Sequence, residues 1–360
     1  MMHKFLAPYR NNPGRSLWGD LMPFILAGAM LLILAASLLR LYISTTRPVI
    51  DLHGRHKCYF YVHTGSGFNA VRDSLVKSGY LVHPREFEWL ARRKHYPDKI
   101  RPGRYLLEDG MHNNALLNML RSGKQESLRI TIQGVRNSGE LAGSLGRRLE
   151  VDSAHLMHLF SDPAMLTRFG ATPATLLMLF VPNTYEFFWN TSGDQLLTRM
   201  ESEFKRFWTS GRRHKADSLQ MTIAQVVTMA SIVEKESNKN DEKPVIAGVY
   251  INRLKHNIPL QADPTVVYAW HDFTIRRVLK VHTQLNSPYN TYMHTGLPPG
   301  PICLPSVASV DAVLHATSHS YLYFCAKEDF SGSHNFASTL DEHNRNARRY
   351  QKALDKMKIK

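Results

Sequence analysis

From Leu21 to Leu39 the chain reads LMPFILAGAMLLILAASLL, nineteen residues without a charged side chain and with Ser37 as the one polar group. At a helical rise of about 1.5 Å per residue, such a run reaches across the hydrocarbon core of a bilayer, about 30 Å thick. Trp18 before it and Tyr42 after it suit the two interfaces, and Arg40 can snorkel. A cleaved signal peptide is the competing reading, because Ala35-Ala36-Ser37 resembles a small-residue cleavage site. The run is longer than a usual signal core, and no helix-breaking stretch precedes those alanines. An uncleaved transmembrane helix over residues 21–43 is therefore expected, after a cytoplasmic tail, 1–20. Lys4, Arg10 and Arg15 precede the span and Arg40, Arg47, Arg55 and Lys57 follow it, so charge bias assigns no orientation.

A chain of 360 residues exceeds one ordinary core and suggests two folded units plus attachments. Its net charge of +15 implies an anionic neighbour. The basic residues are scattered in pairs such as Arg147-Arg148 and Arg212-Arg213, and no nucleic-acid-binding signature accompanies them. A membrane surface or an acidic cell-wall polymer fits that charge, and nucleic acid is not expected as a partner. Cys58, Cys303 and Cys325 form neither a C-x-x-C pair nor a disulfide framework. His315 and His319 share helical i, i+4 spacing but lack the H-E-x-x-H context of a metal site. No metal and no cofactor are expected.

After a connector, 44–56, strand-like composition at Cys58–Val62 and Arg104–Leu107 brackets helical patterns at Phe68–Ser78 and Pro84–His95. Asn113–Leu120 reads as a further helix. This first unit, 57–127, is a small α+β module. A strand at Leu128–Gln133 opens the second, 128–356, which is helix-rich. Its helices are expected across Leu141–Arg206, interrupted by an aromatic turn at Phe180–Trp189, then at Thr222–Glu236, Pro244–Lys255, Ser306–Thr317 and Leu340–Lys356. Tyr321–Ala326 reads as a strand. Gln261–Gly300 is dense in Pro, Asn, Thr and Tyr with only short helical pieces, and loops of that length are usually functional or disordered; its aromatic content argues against disorder.

Within Thr222–Glu236, Glu236 lies three and four residues after Val233 and Ile232 and seven after Met229. Helical spacing puts it on the apolar face, where desolvation of the charged form raises a carboxyl toward the range of a general acid. The plainer alternative is a polar helix end.

Further patterns keep it company: Val181-Pro-Asn-Thr-Tyr185, Ala230-Ser-Ile-Val-Glu-Lys-Glu-Ser237, Leu260-Gln-Ala-Asp-Pro-Thr-Val-Val-Tyr268, Ser287-Pro-Tyr-Asn-Thr-Tyr292 running into Gly296–Ile302, and Tyr321–Phe324 followed by Ser333-His-Asn-Phe336. Together and in this order they resemble the MltG (YceG-like) endolytic murein transglycosylases from about Ile130 to Leu354, and the preceding module resembles that family's LysM-like domain. The resemblance implies an α+β protein with an N-terminal transmembrane helix, a small LysM-like domain and a larger catalytic domain. It maps the catalytic acid onto Glu236, with Ser237 completing the pair and Glu234 in a supporting or structural place. Two departures stand out: Pro182-Asn183-Thr184 where many members have Pro-Asp-Thr, and Gln133-Gly134 in place of Glu-Gly.

The implied reaction cleaves the β-1,4 bond between N-acetylmuramoyl and N-acetylglucosaminyl residues of nascent glycan strands. The sugar's own C6 hydroxyl attacks, leaving a 1,6-anhydro end, so one carboxyl can serve as acid and then base. Hydrolysing glycosidases usually need two carboxyls. Gln261, Asp263, Tyr289, Asn290 and Tyr292 are candidates to hold the sugars, against a competing role as loop-stabilising groups. Gly296, Pro298, Pro299 and Gly300 read as backbone shape. The resemblance also implies a lyase at the cell inner membrane with an extracytoplasmic catalytic domain, and cell-wall synthesis enzymes as further partners. The alternative from another class is a non-catalytic, membrane-tethered peptidoglycan-binding scaffold.

Overall fold

The computed structural model describes residues 17–357. The mixed α+β chain divides between Glu126 and Ser127 into two compact units. The expected tail lies outside the described residues up to position 16. Helix α1 (Leu17–Thr46) contains the apolar run, and its residues Leu21–Thr46 are long and apolar enough to cross a membrane. Residues 21–43 are all exposed, whereas Ser44 is buried.

The first unit continues with β1 (Lys57–Val62), α2 (Phe68–Lys77), α3 (Pro84–Arg93), β2 (Gly103–Glu108) and α4 (Asn113–Ser122). The strands pair antiparallel, Phe60 opposite Tyr105 and Cys58 opposite Leu107. Val71 and Leu75 turn one face of α2 inward, and Gly123, at φ 73°, ends α4 in the left-handed conformation that glycine adopts without strain. The segment expected as a connector is partly built into this core. Val49, Ile50 and Leu52 are buried, and Pro48 and Ile50 form bridges to His112 and Leu81. Alternating polar neighbours, Asp51 and His53, hide that burial in the sequence.

The second unit runs β3 (Ser127–Ile132), α5 (Ser138–Gly146), α6 (Ser153–Ser161), α7 (Pro163–Thr167), β4 (Asn183–Phe188), α8 (Gly193–Phe207), α9 (Ser210–Ser218), α10 (Ile223–Glu236), α11 (Lys243–Lys255), α12 (Asp263–Trp270), α13 (Val307–Leu314), β5 (Tyr323–Ala326), β6 (His334–Ala337) and α14 (Leu340–Met357). The stretch expected as an aromatic turn is thus strand β4, paired antiparallel with β3 so that Tyr185 faces Ile130. Tyr185 and Phe187 point inward while Thr184 and Glu186 point out, the alternation of a half-buried strand.

Helix α10 is the axis of this unit. A capping box starts it: Thr222 Oγ1 accepts from the Gln225 amide at 3.2 Å, and Gln225 Oε1 accepts from the Thr222 amide at 2.9 Å. Every residue from Val226 to Val233 is buried, so the helix is enclosed on all sides. α11 and α13 pack along it, and the segment after Gly300 is pinned to it where the Ile302 amide donates to Ser231 Oγ at 2.9 Å. At Gly300 an added Cβ would sit 2.0 Å from the Ala174 carbonyl, so only glycine permits the approach. Ser237 is extended, at φ −143° and ψ 137°, which ends α10 immediately after Glu236. A carboxyl is thereby delivered at the rim of a core helix.

Candidate active site

Glu236 stands where two cavities meet. One, of about 400 Å³, is lined by Arg136, Lys235, Val267, Tyr268, Phe273 and Arg276 among others. The second, of about 360 Å³, is lined by Tyr250, Arg253, Gln261, Tyr292, Tyr323 and His343 among others. Glu236 and Asp263 are common to both walls. A chain-like ligand lying through the two would therefore pass the carboxyl of Glu236.

The environment of Glu236 sets its proton affinity. Desolvation by the surrounding core pushes its pKa up to about 7, the nearby charge of Asp263 adds to the rise, and the Tyr250 hydroxyl, donating to Oε1 at 2.7 Å, opposes it. The residue remains partly open to the cleft. Its place at the C-terminal end of α10, where the helix macrodipole is negative, also disfavours the charged form. Tyr250 is itself buried, on α11 beside α10, and burial raises its phenol far above the ordinary range, so it remains a donor. The result is a carboxyl half-protonated near neutrality, held by one fixed hydrogen bond.

Glu234 is in a different situation. Burial would raise its pKa, but hydrogen bonds from Ser306 Oγ (2.6 Å) and Ser309 Oγ and the Lys243 ammonium at 3.0 Å outweigh it and hold the carboxyl below its usual range. Lys243 is 5% exposed and Glu234 27%, so this is a partly enclosed ion pair tying α10 to α11 and α13. Ser237 Oγ accepts from the Lys239 amide at 3.1 Å, bracing the turn that ends α10.

The loop candidates divide. Asp263, at the start of α12, accepts from the Tyr292 hydroxyl at 2.5 Å, and both line the cleft. Gln261 Oε1 accepts from Arg253 Nη2 at 2.6 Å on the same wall. Asn290 is fully buried: its amide donates to the carbonyls of Thr283 (3.0 Å) and Leu285 (2.7 Å), and its oxygen accepts from the Tyr292 amide at 3.1 Å. It braces the loop that presents Tyr292 and has nothing left to offer a ligand. Tyr289 packs behind the first cavity, its ring 4.8 Å from that of Tyr268. Asn183 begins β4, accepting at 2.7 Å from the Thr184 amide, and Gln133 and Gly134 line a separate hollow with Glu140 and Arg147. His315 and His319 serve different partners, Lys215 and the Val245 carbonyl.

Several cleft residues escaped the sequence reading. Tyr250 and Arg253 are three apart on α11 and face the site together, but in sequence they look like an ordinary helix interior. Arg136 lies over the Phe273 ring at 4.3 Å and donates to Glu140 at 2.6 Å. Its only sequence signal was position, directly after β3.

The YceG-like family model matches residues 60–349. An endolytic murein transglycosylase of Bacillus subtilis (strain 168) is 29% identical over 307 residues, which cover 80% of this chain and 83% of that protein. An endolytic murein transglycosylase of Streptococcus pneumoniae serotype 2 is 26% identical over 342 residues, and the match spans 85% of this chain and 60% of the streptococcal protein. The 2.6 Å crystal structure of a yceG-like protein from Listeria monocytogenes superposes with a TM-score of 0.53 at 26% identity, covering 81% of this chain and 99% of that one.

Proposed function

The chain belongs to the YceG-like family, and we propose that it is a peptidoglycan lytic transglycosylase, a lyase that cuts glycan strands internally with Glu236 as its acid and base. The observation that carries this reading is the single carboxyl at the meeting point of two cavities, pushed up to about 7 by burial.

A glycan strand occupies both cavities with the scissile bond over Glu236. The neutral carboxyl gives its proton to the glycosidic oxygen, and the bond from that oxygen to C1 of the muramoyl residue breaks. The carboxylate then takes the proton of the same sugar's C6 hydroxyl as O6 bonds to C1. No water is consumed, and Glu236 ends the cycle protonated as it began. Because the nucleophile is tethered to the reacting ring, no second carboxylate is needed to activate water. The negative charge of Asp263, beside the reacting centre, favours the positive charge developing at C1.

In the finer reading, residues 57–127 form a LysM-like domain, supported by the order β1–α2–α3–β2 with its strands paired antiparallel. Helix α1 anchors the protein in the cell inner membrane, with the catalytic unit outside the cytoplasm near nascent strands and cell-wall synthesis enzymes. The apolar, unburied length of α1 supports the anchor.

The test is to incubate the purified full chain with peptidoglycan and weigh the products. Internal cuts with 1,6-anhydro ends, one water lighter than hydrolysis products, are expected. Reducing ends would indicate a hydrolase, and binding without cleavage would indicate a scaffold.

A further inference from the structure

The second cavity holds a cation that the reaction above does not use. Arg253 is 7% exposed, and among the described residues no carboxylate pairs with it. Its Nη2 meets the neutral amide oxygen of Gln261, its guanidinium lies 5.4 Å from the Tyr323 ring, and its buried Nε has no hydrogen-bond partner. On the same wall His343 stacks on Tyr323 at 5.3 Å, and its buried Nδ1 also has no partner.

Keeping a guanidinium out of water without an opposing charge is costly, and an enclosed arginine normally meets a carboxylate. Both residues line this cavity, and the orphaned atoms enclosed in its wall show that the protein itself leaves the Arg253 end incompletely paired. The carboxylates that share the cavity are engaged: Asp263 by the Tyr292 hydroxyl and Glu236 by that of Tyr250. The free positive charge is therefore that of Arg253, because burial and the neighbouring guanidinium lower the pKa of His343. The planar guanidinium fork selects a carboxylate in particular.

We propose that the cavity walled by Arg253, Gln261 and His343 is a carboxylate subsite for the acidic substituent on O3 of the muramoyl residue. This rests on the transglycosylase reading for the identity of the sugar. The carboxylate is either that of the lactyl group on a peptide-free strand or the first free carboxylate of a stem peptide. The subsite fixes which sugar lies on the Arg253 side of Glu236, and so which of the two alternating β-1,4 linkages is cut.

Binding to the full chain carrying Glu236→Gln tests this without turnover. Calorimetry compares three probes: a disaccharide ending in N-acetylmuramic acid with its lactyl acid free, the same sugar as the lactyl methyl amide, and the disaccharide bearing a stem peptide. At least one charged probe should bind about tenfold or more tighter than the amide, the size of a hydrogen bond to a charged group. Tight binding of the free acid assigns the lactyl carboxylate, and tight binding of the peptide form alone assigns the stem. Arg253→Gln should erase the difference. Gln261→Glu guards against misfolding of that variant: it is isosteric, sets a carboxylate on Arg253 from within, and should erase the preference too. Equal binding of all three probes, or a preference that survives Gln261→Glu, overturns the subsite. Product masses from the unmutated chain judge the activity separately, since a charge preference without anhydro products removes the reaction and leaves the subsite.

Discussion

The hydroxyl of Tyr250 on α11 donates a 2.7 Å hydrogen bond to Oε1 of Glu236 at the end of α10. That bond is the counterweight to burial: it stabilises the carboxylate that the surroundings disfavour. Removing it in Tyr250→Phe keeps the ring packed against Phe324 and deletes only the donor. The basic limb of the pH–rate profile should then move to higher pH, and kcat should fall by about tenfold as the carboxyl loses its fixed orientation. An unmoved limb would mean that Tyr250 does not tune Glu236.

Glu236 should also mark the stability of the fold. In the unfolded chain it loses its proton around 4.5, whereas in the folded protein it keeps it to about 7. Between those values the native state binds the extra proton, so stability falls as pH rises through this window and the full cost persists above it. Glu236→Gln removes that cost. It should be neutral below pH 4 and more stable than the parent by about 1–3 kcal/mol at pH 8. Denaturant melts of the two proteins at both pH values check the sign.

Glu234→Gln should damage the fold more than the chemistry. It strands the Lys243 ammonium, 5% exposed, with two serine hydroxyls and no charge to face. A loss of about 1–3 kcal/mol is expected, below the cost of breaking a fully buried pair because Glu234 keeps some contact with water. Turnover, measured well below the melting temperature, should remain within a few-fold of the parent.

Asn290→Asp replaces an amide that donates to the Thr283 and Leu285 carbonyls with an acid that repels them. A stability loss of about 2–3 kcal/mol is expected from the unsatisfied buried groups, with early proteolysis in 279–294. By contrast Asn183→Asp should change turnover less than about tenfold, roughly 1.4 kcal/mol in the barrier, because Asn183 spends its oxygen on the neighbouring Thr184 amide. A larger gain would make that position chemical and require a second acid.

Much of the framework was legible because it is local. The apolar run behind Glu236 and the proline at the start of α3 each sit within a turn of what they determine. Strand β4 was missed because Pro182-Asn183 reads as a turn, while its partner β3 lies far back in the chain. The four-residue β6 is too short to show alternation. In the site, Glu236 could be found from the face it occupies. Arg253 could not, because what marks it is that, among the described residues, no carboxylate pairs with it in a cavity formed by α11, the segment after Leu260, β5 and α14. Asn290 read equally as sugar ligand or loop brace until its partners were known.

The central claim is that Glu236 moves the proton, and the pH dependence of kcat/KM on defined glycan strands tests it most directly. The unmutated protein should lose activity as pH rises through about 7, the value at which burial leaves this carboxyl half ionised, and Glu236→Gln should form no anhydro ends at any pH. A basic limb near 4.5, the ordinary value for a glutamate, or anhydro products from Glu236→Gln at rates near the parent's, would contradict it.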